Sequence, residues 1–171
     1  MNRRSIIGIA AMTALGCSVL SGSVVAQQKT LKEQLVGTWT LVSSDQVRLD
    51  GSKLKQFGDN PTGINVFDAN GRFFLLIASA DNSKIASKDP NKKNPEEVGG
   101  LIPESIAYYG TYTLNEEEKV IILHLEASTF PNLVGTDQKR IITSLTANEL
   151  RYSNPAAMPG VQVHQVWKRA E

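Results

Sequence analysis

The chain has few of the residues that build common catalytic and metal sites. Its 171 residues include one cysteine, Cys17, and two histidines, His124 and His164. A lone cysteine can form neither an intramolecular disulfide nor a cysteine zinc site. The histidines are far apart and form no His-x-x-x-His pair, so we predict no metal site. Because no P-loop, dinucleotide fingerprint or Gly-x-Ser-x-Gly motif occurs, we also predict no cofactor.

The sequence also lacks an excess of charge of either sign. Its 18 basic and 17 acidic residues give a net charge of +1. Loss of Arg3 and Arg4 with the leader described below would leave 16 basic residues against 17 acidic ones, a net charge of −1. Neither balance favours nucleic acid or an anionic membrane surface as a partner.

The first 26 residues have the pattern of a secretory signal peptide. Arg3 and Arg4 precede an uncharged apolar run, and Val24-Val25-Ala26 forms a small-residue cleavage site. The apolar run, roughly 15 residues long, is too short for a stable transmembrane helix. We therefore predict cleavage after Ala26 and no transmembrane span in the mature protein, with an uncleaved signal anchor as the alternative.

The route of export stays open. Asn2-Arg3-Arg4-Ser5 resembles a twin-arginine motif, although an ordinary Sec signal is equally compatible. Ala14-Leu15-Gly16-Cys17 resembles a lipobox, but alanine stands where leucine is usual. We expect a periplasmic or secreted protein, with a lipoprotein acylated at Cys17 as the minority alternative.

Residues 27–171 have the length of one domain and the pattern of an all-β protein. Short β-branched and apolar runs alternate with turn sequences such as Asp68-Ala69-Asn70-Gly71. Thr30 and Glu33 fit a capping box, which predicts one short helix before the first strand. The predicted strands are 36–47, 64–67, 72–79, 105–114, 120–127, 138–145, 149–153 and 161–169.

Residues 80–103 interrupt this strand pattern. They contain Pro90, Pro95, Pro103 and the pair Gly99-Gly100. Loops of this length are uncommon in compact domains unless they are functional or disordered. We predict a long loop over one end of the domain and regard it as a candidate lid.

Three segments resemble the bacterial and fungal lipocalin-like domain proteins, a calycin-type barrel family. They are Leu-Val-Gly-Thr-Trp at 35–39, which contains the Gly-x-Trp of Gly37 and Trp39, then 109–112 and 124–140. The resemblance implies a single antiparallel up-and-down β-barrel with an internal cavity. It does not imply one activity, because a fold does not fix a function. It also implies that Arg169, near the chain end, packs over Trp39 in a cation–π contact.

One strand carries the most informative polar residues. In 120–127, alternation places His124 and Glu126 on one face and the leucines on the other. If the following hairpin is symmetric about Asn132, Arg140 lies opposite His124. A shift of one residue would swap the faces. The pattern therefore predicts a polar cluster of His124, Glu126 and Arg140.

The cluster has a functional and a structural interpretation. In the first it faces the cavity and binds a ligand, with Tyr108 and Tyr112 lining the pocket. His124 is then the candidate catalytic residue, since the histidine pKa of about 6.5 suits acid–base chemistry. In the second it is an ion-pair cluster that fixes the strand register.

Three functions follow from these alternatives. We predict a binding protein for a small, mostly apolar ligand, whose polar group Arg140 and His124 orient. The first alternative is a barrel enzyme, an isomerase, cyclase or dehydratase, with His124 as the acid–base and Arg140 as an anion clamp. The second is a ligand-free structural or envelope protein whose barrel is filled by its own side chains.

Overall fold

The computed structural model describes residues 29–80 and 105–171. The predicted signal peptide, 1–26, and the candidate lid from residue 81 onward lie outside these described ranges.

Nine antiparallel strands lie within the described residues. Their order in the sheet is β2-β1-β3-β4-β5-β6-β7-β8-β9, and β1 also pairs with β9. Strand β2 extends only the end of β1, so β1 and β3–β9 close into an eight-stranded barrel. The bounds are β1 Gly37–Arg48, β2 Lys53–Leu54, β3 Thr62–Phe67, β4 Arg72–Ala78, β5 Ser105–Asn115, β6 Val120–Ser128, β7 Asp137–Leu145, β8 Glu149–Met158 and β9 Val161–Arg169.

The predicted fold class is confirmed: the chain is an all-β, up-and-down, lipocalin-like barrel. Each predicted strand occurs, β8 is longer than expected, and β2 was not predicted. The turn at 68–71 joins β3 to β4, with Gly71 at a φ of +87°.

Strand β4 shows why the sequence forms this sheet. Phe73, Leu75 and Ile77 are buried, while the residues between them face outward. Full burial of such a side chain contributes about 1.5–3 kcal/mol. A slip of one residue would exchange the two faces, so these three side chains hold the register of the strand.

A short helix, α1, precedes the first strand at Leu31–Leu35, as the capping box predicted. Glu33 N donates to Thr30 Oγ1 at 3.1 Å, and Thr30 N donates to Glu33 Oε2 at 2.8 Å. Leu35 is fully buried and joins α1 to the core. Among the described residues no helix is long and apolar enough to cross a membrane.

Trp39 and Arg169 close the end of the barrel beside α1. They are directly paired across β1 and β9, and the Arg169 Cζ lies 4.0 Å from the centre of the Trp39 ring. The cation–π contact that the resemblance implied is therefore confirmed. Trp39 is fully buried, and its Nε1 donates to Leu35 O at 2.9 Å.

Gly37 makes room for the Arg169 guanidinium. Its φ is +135°, and a Cβ built there would lie 2.5 Å from Arg169 Nη1. The guanidinium donates to the main-chain oxygens of Gln34, Val36 and Ala147. Arg169 thus fastens the end of α1 and the β7–β8 turn to the barrel.

Candidate functional site

Four polar side chains meet inside the barrel, and we call them the inner polar cluster: Asn65, Tyr108, Arg140 and Tyr152. None is more than 6% exposed. Asn65 and Tyr108 occupy aligned positions on β3 and β5, with Leu75 of β4 between them. Their Cα atoms are thus two strand spacings apart, roughly 10 Å.

Two hydrogen bonds of the inner polar cluster cross the barrel. Asn65 Nδ2 donates to the Tyr152 hydroxyl at 3.1 Å, which joins β3 to β8. Arg140 Nη2 donates to the Tyr108 hydroxyl at 2.9 Å, which joins β7 to β5. The Arg140 Cζ also lies 5.9 Å from the centre of the Tyr152 ring. Burial raises the pKa of Tyr152 far above its ordinary value, so this phenol is neutral at physiological pH.

Arg140 is a buried cation, and no carboxylate among the described residues pairs with it. It is 4% exposed and lies between apolar positions, since it pairs with Ile121 on β6 and precedes the inward Ile142 on β7. Within residues 29–80 and 105–171, no carboxylate oxygen approaches it to 4 Å. Its Nη1 donates to Lys139 O at 2.9 Å, and its Nε makes no hydrogen bond to the described residues.

A second atom of the inner polar cluster also has no hydrogen-bond partner in the described ranges. Asn65 is fully buried, and its Oδ1 accepts no hydrogen bond from the described part of the chain. A buried polar group without a hydrogen-bond partner lowers the stability of the fold by about 1–3 kcal/mol. The cluster therefore offers a ligand both a cationic donor and a neutral acceptor.

The register predicted for the β6–β7 hairpin is wrong. His124 pairs with Asp137, and Arg140 pairs with Ile121, three positions from where hairpin symmetry about Asn132 placed it. The reason is a 3₁₀ turn at Pro131–Leu133, which makes the loop asymmetric. An odd shift exchanges faces, so Arg140 points inward while His124 points outward.

The expected cluster of His124, Glu126 and Arg140 therefore does not form. His124 and Glu126 do share one face of β6, as alternation predicted, but it is the exposed face. His124 Nδ1 lies 2.8 Å from Asp137 Oδ1, and Glu126 forms a two-point ion pair with Arg72 at 2.7 and 2.9 Å. This outer position removes the geometric basis for His124 as an acid–base group inside the barrel.

Tyr108 and Tyr112 both point into the barrel, where the sequence analysis placed them. Only Tyr108 belongs to the inner polar cluster. The Tyr112 hydroxyl donates to Asp68 O at 2.7 Å, and its ring meets Phe67 edge-on at 5.1 Å. Tyr112 therefore holds the β3–β4 turn against the core.

Asn65 and Tyr152 were not singled out in the sequence, although a signal was present. Asn65 lies two positions before Phe67 on β3, and Tyr152 lies two positions after Leu150 on β8. Period-two alternation therefore places both on the apolar, inward face. A polar residue at an apolar position was the available clue.

A groove of about 270 Å³ lies on the outer surface near the start of β4. The Arg72 guanidinium lies 6.0 Å from the Tyr109 ring there. This groove is separate from the inner polar cluster. It is lined by Val66, Asp68, Arg72, Phe73, Phe74 and Tyr109.

No group of three His, Cys, Asp or Glu side chains within the described ranges is placed to hold a metal ion. The inner polar cluster instead contains one guanidinium cation, one side-chain amide and two phenols.

The fold and the site can be set beside known proteins. A solved lipocalin-like protein from Bacteroides uniformis is similar to this chain, with 14% identity and a TM-score of 0.46. The match covers 80% of this chain and 99% of that one. None of the curated proteins compared with the chain matches it. The family model for the lipocalin-like domain matches residues 36–170. The chain therefore belongs to the lipocalin-like domain family.

Proposed function

We propose that the protein binds a small, mostly apolar molecule inside the barrel, and that Arg140 holds an anionic group of this molecule. The observation that carries the proposal is the burial of Arg140 without a carboxylate partner in the described residues. Pockets for small ligands are mostly apolar and contain a few placed polar groups.

The burial of Arg140 is costly for the free protein. A charge removed from water loses several kcal/mol of hydration unless a partner compensates. The phenol of Tyr108 and a main-chain oxygen compensate only in part, because neither carries a full opposite charge. A carboxylate on a ligand would supply the missing charge.

The geometry of Arg140 also suits a carboxylate. A guanidinium has five N–H groups in a planar fork. The hydrogen bonds to Tyr108 and Lys139 use two of them, and Nε–H is free among the described contacts. A carboxylate can therefore join Arg140 without breaking either bond.

The walls of the barrel suit the rest of such a ligand. Leu123, Leu125 and Ile142 point inward on β6 and β7, and each is at most 5% exposed. A hydrocarbon chain beside these side chains would make apolar contacts and would bury no further polar group. We further propose that the protein acts outside the cytoplasm, which the leader-like pattern of residues 1–26 supports.

The test is isothermal titration of the purified protein with saturated carboxylates, hexanoate to hexadecanoate, each beside the alcohol of equal length. We expect the best carboxylate to bind at least about 10-fold more tightly than its alcohol, since a charge-assisted hydrogen bond contributes about 1.5–3 kcal/mol.

Two variants locate the effect. Arg140→Met should abolish the preference for the carboxylate, because it removes the charge and leaves an unbranched apolar side chain that can pack in the core. His124→Gln is the matched control on the outer face and should keep the preference. Absence of binding by every carboxylate, or an unchanged preference in Arg140→Met, would contradict the proposal.

A further inference from the structure

The second unpaired atom of the inner polar cluster carries more information about the ligand. Resting on the function proposed above, we infer that the ligand is a hydroxy acid: its carboxylate meets Arg140, and a hydroxyl near the carboxylate meets the Asn65 side-chain amide.

Asn65 and Arg140 belong to one site because both contact Tyr152. Asn65 Nδ2 donates to the Tyr152 hydroxyl at 3.1 Å, and the Arg140 Cζ lies 5.9 Å from the centre of the same ring. Asn65 is completely buried and Arg140 nearly so. A single small molecule beside Tyr152 can therefore reach both side chains.

The unpaired atoms differ in kind. Arg140 Nε is a donor, which requires an acceptor such as a carboxylate oxygen. Asn65 Oδ1 is an acceptor, which requires a donor. A simple fatty acid satisfies the first atom and leaves the second buried and unpaired, so it would forfeit the interaction that Asn65 offers.

A hydroxyl suits Asn65 better than other donors. The oxygen and nitrogen of an asparagine amide are assigned from their hydrogen bonds. A hydroxyl both donates and accepts, so it satisfies the free end of the Asn65 amide in either orientation. An ammonium group would instead bring a second positive charge close to the buried Arg140.

The experiment compares decanoate with α-hydroxydecanoate and β-hydroxydecanoate by isothermal titration. The two hydroxy acids differ in the spacing between the hydroxyl and the carboxyl, so the pair tests two separations between these groups. We expect at least one hydroxy acid to bind about 10-fold more tightly than decanoate, because it pairs a buried polar atom.

Asn65→Leu, of nearly the same size, removes the polar atoms of Asn65. In this variant the ratio of the affinity for the hydroxy acid to the affinity for decanoate should fall to about one. The affinity for decanoate itself should change less than about 3-fold, because the site keeps Arg140. Circular dichroism establishes that the variant is folded. Asn65→Ala, with the same expected loss of preference, replaces it if Asn65→Leu does not fold.

The outcomes separate this inference from the proposal on which it rests. If decanoate binds in an Arg140-dependent way and neither hydroxy acid gains affinity, the hydroxy-acid inference is wrong and the binding function stands. A preference that persists in Asn65→Leu also overturns the inference. If none of the three acids and no simple carboxylate from hexanoate to hexadecanoate binds, both are overturned. If a simple carboxylate of another length binds but none of these three does, the inference is wrong and the binding function stands.

Discussion

Buried arginines in proteins usually neighbour a carboxylate, because an unpaired charge away from water is destabilising. Arg140 departs from this rule within the described residues. The buried Asn65 Oδ1 also lacks a hydrogen-bond partner there, whereas buried polar atoms usually have one. Residues retained at a cost to folding are characteristic of functional sites. At the scale of single residues, the inner polar cluster is therefore the part of the core that packing alone explains least.

Replacement of Arg140 tests this cost directly. We expect Arg140→Met to leave the free energy of unfolding unchanged or to raise it by about 1–2 kcal/mol, since apolar replacements of buried charges are often neutral or stabilising. Urea denaturation followed by the fluorescence of Trp39 and Trp167 measures the change. Arg72→Met, at an exposed ion pair, is the matched control and should change stability little. A loss of more than about 3 kcal/mol in Arg140→Met would show that Arg140 serves the fold.

Tyr152 predicts how stability depends on alkaline pH. Burial raises the pKa of Tyr152 in the folded state above the ordinary value of 10.0. The unfolded chain therefore releases this proton first as the pH rises, and the free energy of unfolding falls above about pH 10.

Tyr152→Phe should reduce that fall, although part of it should remain because burial also raises the pKa of Tyr112. The measurement is urea denaturation at a series of pH values from about 8 to 11. Tyr109→Phe, at a tyrosine that is 45% exposed, is the control. An equal slope in wild type and Tyr152→Phe would contradict this account of Tyr152.

At the scale of elements, alternation along each strand predicted more than the pairing between strands. It placed His124 and Glu126 on one face of β6, which the structure confirms. It could not give the register of β7, because that depends on how many residues the loop consumes. The 3₁₀ turn at Pro131–Leu133 and the positive φ of Gly135 set that number, and they moved Arg140 to the inner face.

The junction between α1 and the barrel depends on Gly37 and Arg169. Gly37→Ala adds a Cβ within 2.5 Å of Arg169 Nη1 at a φ of +135°. We expect a loss of at least about 2 kcal/mol in the free energy of unfolding, since both the contact and the backbone conformation are unfavourable.

A double-mutant cycle with Arg169→Met separates the two causes. Arg169→Met removes the hydrogen bonds to α1 and should itself be destabilising by about 2 kcal/mol. The double variant should lose less than the sum of the single losses, because the added Cβ no longer meets the guanidinium. Strictly additive losses would show that backbone strain alone accounts for the effect of Gly37→Ala.

At the scale of the whole molecule, the sequence predicted the barrel but not the contents of its interior. The Gly-x-Trp of β1 and Arg169 near the chain end indicated where the barrel closes, and β1 pairs with β9 at that place. Alternation also puts Asn65 and Tyr152 on inward positions, although the sequence analysis singled out neither residue. Which inward residues meet across the barrel depends on the stagger of the strands, and a single sequence does not specify it. The inner polar cluster consequently emerged only from the structure.

The central claim is that the barrel holds an apolar anion with its charged end at Arg140. The most direct measurement is a crystal structure of the protein grown with an ω-bromo fatty acid, in which the anomalous scattering of bromine marks the apolar end. We predict a bromine peak inside the barrel and a carboxylate within hydrogen-bonding distance of Arg140, and we expect the carboxylate to lose this position in Arg140→Met. Bromine found only in the outer groove near Arg72 and Tyr109, or no bound acid, would contradict the account.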